Sequence, residues 1–358
     1  MSRRRLTFAV ALLFAFTALG MQPQTAAAEA KKKFSIAWSI YVGWMPWGYG
    51  GEQKIVDKWA KKYGIEIDVV QINDYIESIN LYTAGKFDGC SMTNMDALTI
   101  PAAGGVDSTA VVIGDFSNGN DGVVLKDKSA LADIKGQKVH LVELSVSHYL
   151  LARGLESVGL AEKDVTVVNI SDADIVAAFG TDDVTAAVTW NPQLSEIAAM
   201  PKATKVFDSS KIPGEIIDMM VVNTKTLADN PDFGKALVGA WYEIMAAMAD
   251  AGDSGKAVRT ALATASGTDL AGYDSQLATT KMFYTPAEAR DFYRSASLPT
   301  TMDNVRKFSF AHGLLGPTAT SADAVGIAMP GGKTLGAADN VKLRFDDSFT
   351  AMAADGKL

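Results

Sequence analysis

Phe34, Ile36, Trp38 and Ile40 alternate with Ser35, Ala37 and Ser39, the period of two that marks a strand. An aromatic, glycine-rich stretch over 41–51 then predicts a loop. Ile55, Val56, Trp59 and Tyr63 share one face of a helix, and Gly64 is placed to end it, because glycine takes the left-handed conformation at a helix C-terminus without steric cost. Strand and helix patterns keep alternating over 65–70, 75–82, 87–92, 96–103 and 109–113. This alternation predicts an α/β sheet, whose ligands gather at the carboxyl ends of the strands.

A second alternating block begins near Val123, with strands expected over 139–142, 165–170 and 186–189 and helices over 147–158 and 174–179. It finishes around Asp218. From Pro231 onward the pattern is mostly helical and includes a capping box, in which Thr285 and Glu288 each satisfy an unpaired amide of the first turn. No periodic repeat or long low-complexity linker interrupts the chain.

Arg3, Arg4 and Arg5 precede an uncharged apolar run over 6–20 and a small-residue stretch ending Ala26-Ala27-Ala28. That is the layout of a secretory signal peptide, residues 1–28, and the run is shorter than the roughly 20 residues a membrane-crossing helix needs. A soluble periplasmic protein is expected. Its formal net charge of -8 falls by the three arginines of the leader to about -11, which argues against nucleic acid or an anionic membrane as partner. About 330 remaining residues exceed what one core usually organises, so two lobes are expected. The single cysteine, Cys90, excludes a disulfide within the chain.

Motifs for chemistry are absent. Lys333-Thr334 resembles the end of a phosphate-binding loop, but Ile327 stands where that motif requires glycine. The three histidines, His140, His148 and His312, have no partner at i,i+4 and there is no cysteine pair, so neither a metal nor a cofactor is expected. No G-x-S-x-G element exists, and nothing argues for an enzyme. The informative positions follow predicted strands. Trp44 and Trp47 sit among glycines. Glu143 precedes Ser145 and His148, in a stretch fit to start a helix, with Ser145 a natural N-cap. Trp190-Asn191-Pro192 ends a strand, and Asp218 precedes the apolar run Met219 to Val222.

Several segments together carry a family resemblance. These are Asp133-Ile134-Lys135-Gly136-Gln137-Lys138-Val139, the stretch from Ser145 to His148, Gly159-Leu160, Ala177-Ala178-Phe179-Gly180, Trp190-Asn191-Pro192 and Val221-Val222-Asn223-Thr224. The chain resembles the nitrate/sulfonate/taurine class of ABC transporter substrate-binding proteins from about Phe34 to beyond Asn230, and within it the branch encoded beside urea carboxylase. The resemblance implies a type II periplasmic binding protein fold, with two α/β lobes joined by two crossovers near Gly122-Val123 and Met220-Val221. Lobe 1 would comprise 29–122 plus 221–358, and lobe 2 residues 123–220. It also implies an inner-membrane ABC permease as partner, a monomeric state, and a ligand site that includes Thr93, Asn94 and Asp115 besides Trp44, Trp47, Glu143, Ser145, His148, Trp190 and Asp218. The alternatives on the same fold are a taurine, sulfonate or nitrate binder and a thiamine-pyrimidine-synthase-like enzyme.

Carboxylates and aromatic residues fill these loops where the anion binders would need bases. A guanidinium ion carries donors around its edge and apolar faces above and below. Asp115, Glu143 and Asp218 suit the edge, and the tryptophans suit the faces. Guanidinium is therefore expected ahead of urea, which would call on Asn94, Ser145 or Asn191 instead.

Overall fold

The computed structural model describes residues 31–358, and the expected leader lies outside the described residues. The first stretch runs β1 (Lys33–Trp38), α1 (Met45–Glu52), α2 (Ile55–Lys62), β2 (Glu66–Gln71), α3 (Tyr75–Thr83), β3 (Gly89–Thr93), α4 (Asn94–Ala97) and β4 (Ser108–Ser117). The middle stretch runs β5 (Asp121–Lys126), β6 (Lys138–Leu141), α5 (Val146–Ser157), β7 (Thr166–Asn169), α6 (Ile175–Phe179), β8 (Ala186–Trp190), α7 (Gln193–Ala198) and β9 (Ala203–Asp208). The chain then returns through β10 (Ile217–Asn223), α8 (Thr224–Asp229), α9 (Pro231–Ala249), α10 (Asp253–Ala265), α11 (Leu270–Leu277), β11 (Thr280–Met282), α12 (Pro286–Tyr293) and α13 (Ser297–Ala311). It closes with β12 (Gly326–Ala328), β13 (Thr334–Leu335), β14 (Val341–Phe345) and α14 (Ser348–Ala354).

These strands form two sheets. The larger has the order β13-β12-β14-β4-β10-β3-β1-β2, with β11 also paired to β4, and the smaller has the order β7-β6-β8-β5-β9. In the larger sheet β10 runs antiparallel between β3 and β4, and both its neighbours are almost wholly buried. Burial on both faces explains why its apolar run is continuous rather than alternating. Local signals act as expected: Gly64 takes φ 68 after α2, and Thr285 and Glu288 exchange hydrogen bonds of 3.3 and 3.0 Å at the start of α12.

The chain crosses between the sheets through 118–120 and again through 209–216. Ser117 and Ser209 hydroxyls lie 2.6 Å apart and the Gly119 amide donates to Ser209 Oγ at 2.8 Å, so the two crossings are bonded side by side. The positions expected for the crossovers lie inside strands instead, Gly122-Val123 in β5 and Met220-Val221 in β10. Hydrophobic alternation marks a strand but not the sheet it joins.

One further expectation is corrected. The stretch 41–51 is not a loop throughout, since α1 starts at Met45 with Pro46 in its first turn, where a missing N–H costs nothing. The C-terminal part is mostly helical as expected, and β12, β13 and β14 within it extend the larger sheet. These strands are two to five residues long, too short for a period of two to register.

Candidate functional site

Strand register brings three polar side chains into one row at an end of the larger sheet. Asp218 in β10 is paired with Thr93 of β3 on one side and with Asp115 of β4 on the other. The β10–β4 register shifts just after Asp218, a bulge of the kind that re-aims side chains at sites. The smaller sheet supplies a matching pair, Asp121 of β5 opposite Trp190 of β8. A cavity of about 10 Å³ lies between the two ends, lined by Tyr41, Trp44, Tyr75, Thr93, Asp121, Val146, Trp190, Ile216 and Asp218. That room is about what a single water molecule needs, so a larger solute must spread the walls to enter.

Aromatic rings wall it. Trp44 meets Tyr41 edge-on at 5.0 Å between centroids and tilts against Tyr75 at 5.4 Å, and Tyr75 meets Trp190 edge-on at 5.6 Å. Tyr41 Oη donates to Asp115 Oδ1 at 2.9 Å, and a Cβ at Gly43 would come within 2.4 Å of Asp115 Oδ2, so only glycine leaves that carboxyl its place. Tyr75 Oη and Thr93 Oγ1 donate to Asp96 Oδ2 at 2.6 and 2.8 Å, which fixes the tyrosine ring.

The electrostatics are one-sided, because among the described residues no lysine, arginine or histidine lines the cavity. Burial pushes Asp121 up to about 7 and Asp115 up to about 7 from 3.8. Asp218 is raised well above the ordinary carboxyl range, first by burial and then by the charges of Asp115 and Asp121. Asp96 rises to about 6 by burial, against the opposing bonds from Tyr75 and Thr93. Asp115 Oδ2, Asp218 Oδ2 and Trp44 Nε1 are buried with no hydrogen-bond partner among the described residues. Unpaired buried carboxyls are costly and normally protonate unless a cation joins them.

Of the residues expected from sequence, Trp44, Thr93, Trp190 and Asp218 line the cavity, and Asp115 stands directly behind Asp218 and Tyr41. The others are placed elsewhere. Trp47 is 1% exposed on α1 and packs against Trp241 at 4.9 Å, so it belongs to the core. Asn94 Nδ2 donates to the Glu215 carbonyl at 3.1 Å and its Oδ1 accepts from the Ile217 amide at 3.0 Å, holding the second crossing. Glu143 is exposed, beside a separate surface depression with Asp74 and Asn169. Ser145 caps α5, accepting from the Ser147 amide at 3.2 Å, and His148 faces Glu162. Sequence reasoning missed Tyr41, Tyr75 and Asp121. An acid at the head of an apolar strand was the available signal for Asp121, the same signal that singled out Asp218.

A family model described as NMT1/THI5 like matches residues 49–251. The chain belongs to the NMT1/THI5-like family. Within reach of that family, a putative binding protein of Brucella abortus is 24% identical over 191 residues, 51% of this chain and 57% of the relative. The chain thus matches little more than half the length of that curated relative. The taurine-binding periplasmic protein of Escherichia coli is 29% identical over 118 residues, 32% of this chain and 36% of that protein. Among solved structures, the alkanesulfonate-binding protein SsuA of Xanthomonas axonopodis, bound to MOPS, superposes with a TM-score of 0.68 at 17% identity, covering 83% of this chain and 99% of that one. This NMT1/THI5-like chain therefore has the α/β fold of periplasmic binding proteins. Among its described residues no helix is long and apolar enough to cross a membrane.

Proposed function

We propose that the chain is the periplasmic solute-binding component of an ABC importer, which closes on a small planar cation, guanidinium ahead of urea, and hands it to an inner-membrane permease. The observation that carries this reading is the set of buried carboxyls Asp115, Asp121 and Asp218 around an aromatic cavity with no base in its lining. A cation there returns those carboxyls to their ionised form. Charge-assisted hydrogen bonds contribute about 1.5 to 3 kcal/mol each, and a desolvated cation-π contact up to about 2 kcal/mol. A sulfonate or nitrate would instead meet carboxyls on both sides. Binding proteins prevail among the named relatives, which supports a role without chemistry on the solute.

Urea is the second reading, favoured by the unpartnered Trp44 Nε1–H, a donor suited to a carbonyl. Titration calorimetry with guanidinium, urea, taurine and nitrate at pH 6 and pH 8 tests both. Guanidinium should bind about tenfold more tightly at pH 8 for each proton its binding releases from groups titrating near 7. Urea needs protonated carboxyls as donors and should bind no better at pH 8. Binding of taurine or nitrate with no response to guanidinium overturns the reading.

A further inference from the structure

We propose that His148, Glu162 and His312 form a site for a divalent transition-metal ion, zinc foremost, at the seam between the two sheet-bearing halves. His148 lies in the first turn of α5 and Glu162 just before β7, both within the smaller-sheet stretch. His312 follows directly on α13, which packs on α4 of the other stretch. One ligand atom from each of the three lies within 4.8 Å of the others. Two imidazoles and a carboxylate are a donor set that zinc takes in sites with an open fourth position. Here the Glu162 and His312 side chains are 33% and 19% exposed, so water can reach that position.

The hydrogen bonds around His312 support the assignment. Its Nδ1 lies 2.8 Å from the Phe308 carbonyl, and a carbonyl only accepts, so Nδ1 carries the proton. In the neutral ring the Nε2 lone pair then faces Glu162 Oε2 at 2.5 Å. That separation has room for a proton and not for a metal ion, so an ion bound by both groups must part them to about 3 Å. A metal-bound histidine shows the same pattern, its other N–H given to a carbonyl. His148 Nδ1 accepts from the Leu144 amide at 3.1 Å, so in the metal-free cluster its proton sits on Nε2 toward Glu162. Loading an ion displaces that proton and breaks the Leu144 contact. Leu144 is the part able to yield, being 43% exposed and held at φ 63, which a leucine adopts only under strain.

The spacing of histidines in the sequence argued against a metal, because 14 and 150 residues separate these ligands and only the fold joins them. Since the ligands come from both stretches, an ion would favour the joined arrangement and raise solute affinity, with the reciprocal effect of solute on metal. That consequence rests on the closure proposed above, whereas metal binding itself does not.

The test uses the full chain without a histidine tag, stripped by chelator and titrated with zinc chloride alone and then with guanidinium present. One zinc per chain is expected, weakened by about tenfold or more in His312→Ala and Glu162→Gln variants whose circular dichroism matches the parent. Cobalt(II) should show the visible bands of a tetrahedral ion in the parent and lose them in His312→Ala. A parent that binds no zinc, or folded variants that bind it like the parent, overturns the proposal. So does a solute affinity that depends on His312 and pH but not on zinc, which identifies a proton between His312 and Glu162. Zinc binding at these residues without any response to guanidinium supports the site while removing the proposed solute.

Discussion

Asp218 is placed where a carboxyl is hardest to ionise, 3% exposed, paired across β10 with Asp115 and facing Asp121 over the cavity. Replacing it by asparagine keeps the shape and removes one charge-assisted partner of a bound cation. Asp218→Asn should weaken guanidinium binding about tenfold to a hundredfold by calorimetry, and unchanged affinity would remove this residue from the site. The same carboxyls govern stability without solute. Asp115 and Asp121 titrate near 7 when folded and near 3.8 otherwise, so between those values the folded chain holds protons the unfolded chain has released. Their contribution is fully present below about 4 and is lost as pH rises through about 7. The melting temperature should therefore fall more steeply from pH 5 to 8 in the parent than in Asp218→Asn. Equal slopes in the two proteins would exclude the buried carboxyls as the cause. Asp218 was legible in sequence because it heads an apolar run. Tyr75 was not, since a tyrosine opening an amphipathic helix reads the same whether it faces a core or a cavity.

At the scale of elements, α1 separates two tryptophans that the sequence set side by side. Trp44 caps the helix and faces the cavity, while Trp47 turns one helical face inward onto Trp241. Trp47→Ala should cost about 3 to 5 kcal/mol in denaturant unfolding and leave the affinity of the folded fraction intact. Trp44→Ala should show the reverse emphasis, losing solute affinity with a smaller loss of stability. If Trp47→Ala weakened binding as much as Trp44→Ala, the division between core and site would be wrong. Long patterned elements such as α2, α3, α5 and β1 were readable because each shows a full turn or several alternations. The strand β9 and the C-terminal β12 to β14 were not, because strands at or near a sheet edge with little alternation of their own draw their order from the sheet they join.

For the whole molecule, two crossings bonded side by side leave the sheet-bearing halves joined along one edge, with the cavity between them. Direct bonds also span the gap: the Tyr75 amide donates to Asp172 Oδ1 at 3.2 Å, Ser171 Oγ to Asp74 Oδ2 at 3.2 Å, and Trp190 Nε1 to the Ile40 carbonyl at 3.4 Å. Such bonds exist only while the halves are together, so they add to solute affinity without touching the solute. Asp172 is the clearest case, since it binds the backbone of Tyr75, whose ring walls the cavity, yet is absent from the lining. Its loss removes a hydrogen bond to a charged group, contributing about 1.5 to 3 kcal/mol, from the closed form alone. Asp172→Ala should thus weaken binding by about tenfold to a hundredfold through faster release, with the association rate nearly unchanged. Stopped-flow tryptophan fluorescence reads this directly, because Trp44 and Trp190 line the cavity. A variant that releases solute at the parental rate would show that the gap-spanning bonds contribute nothing to closure, and the coupling of affinity to closure would have to reside in the cavity residues.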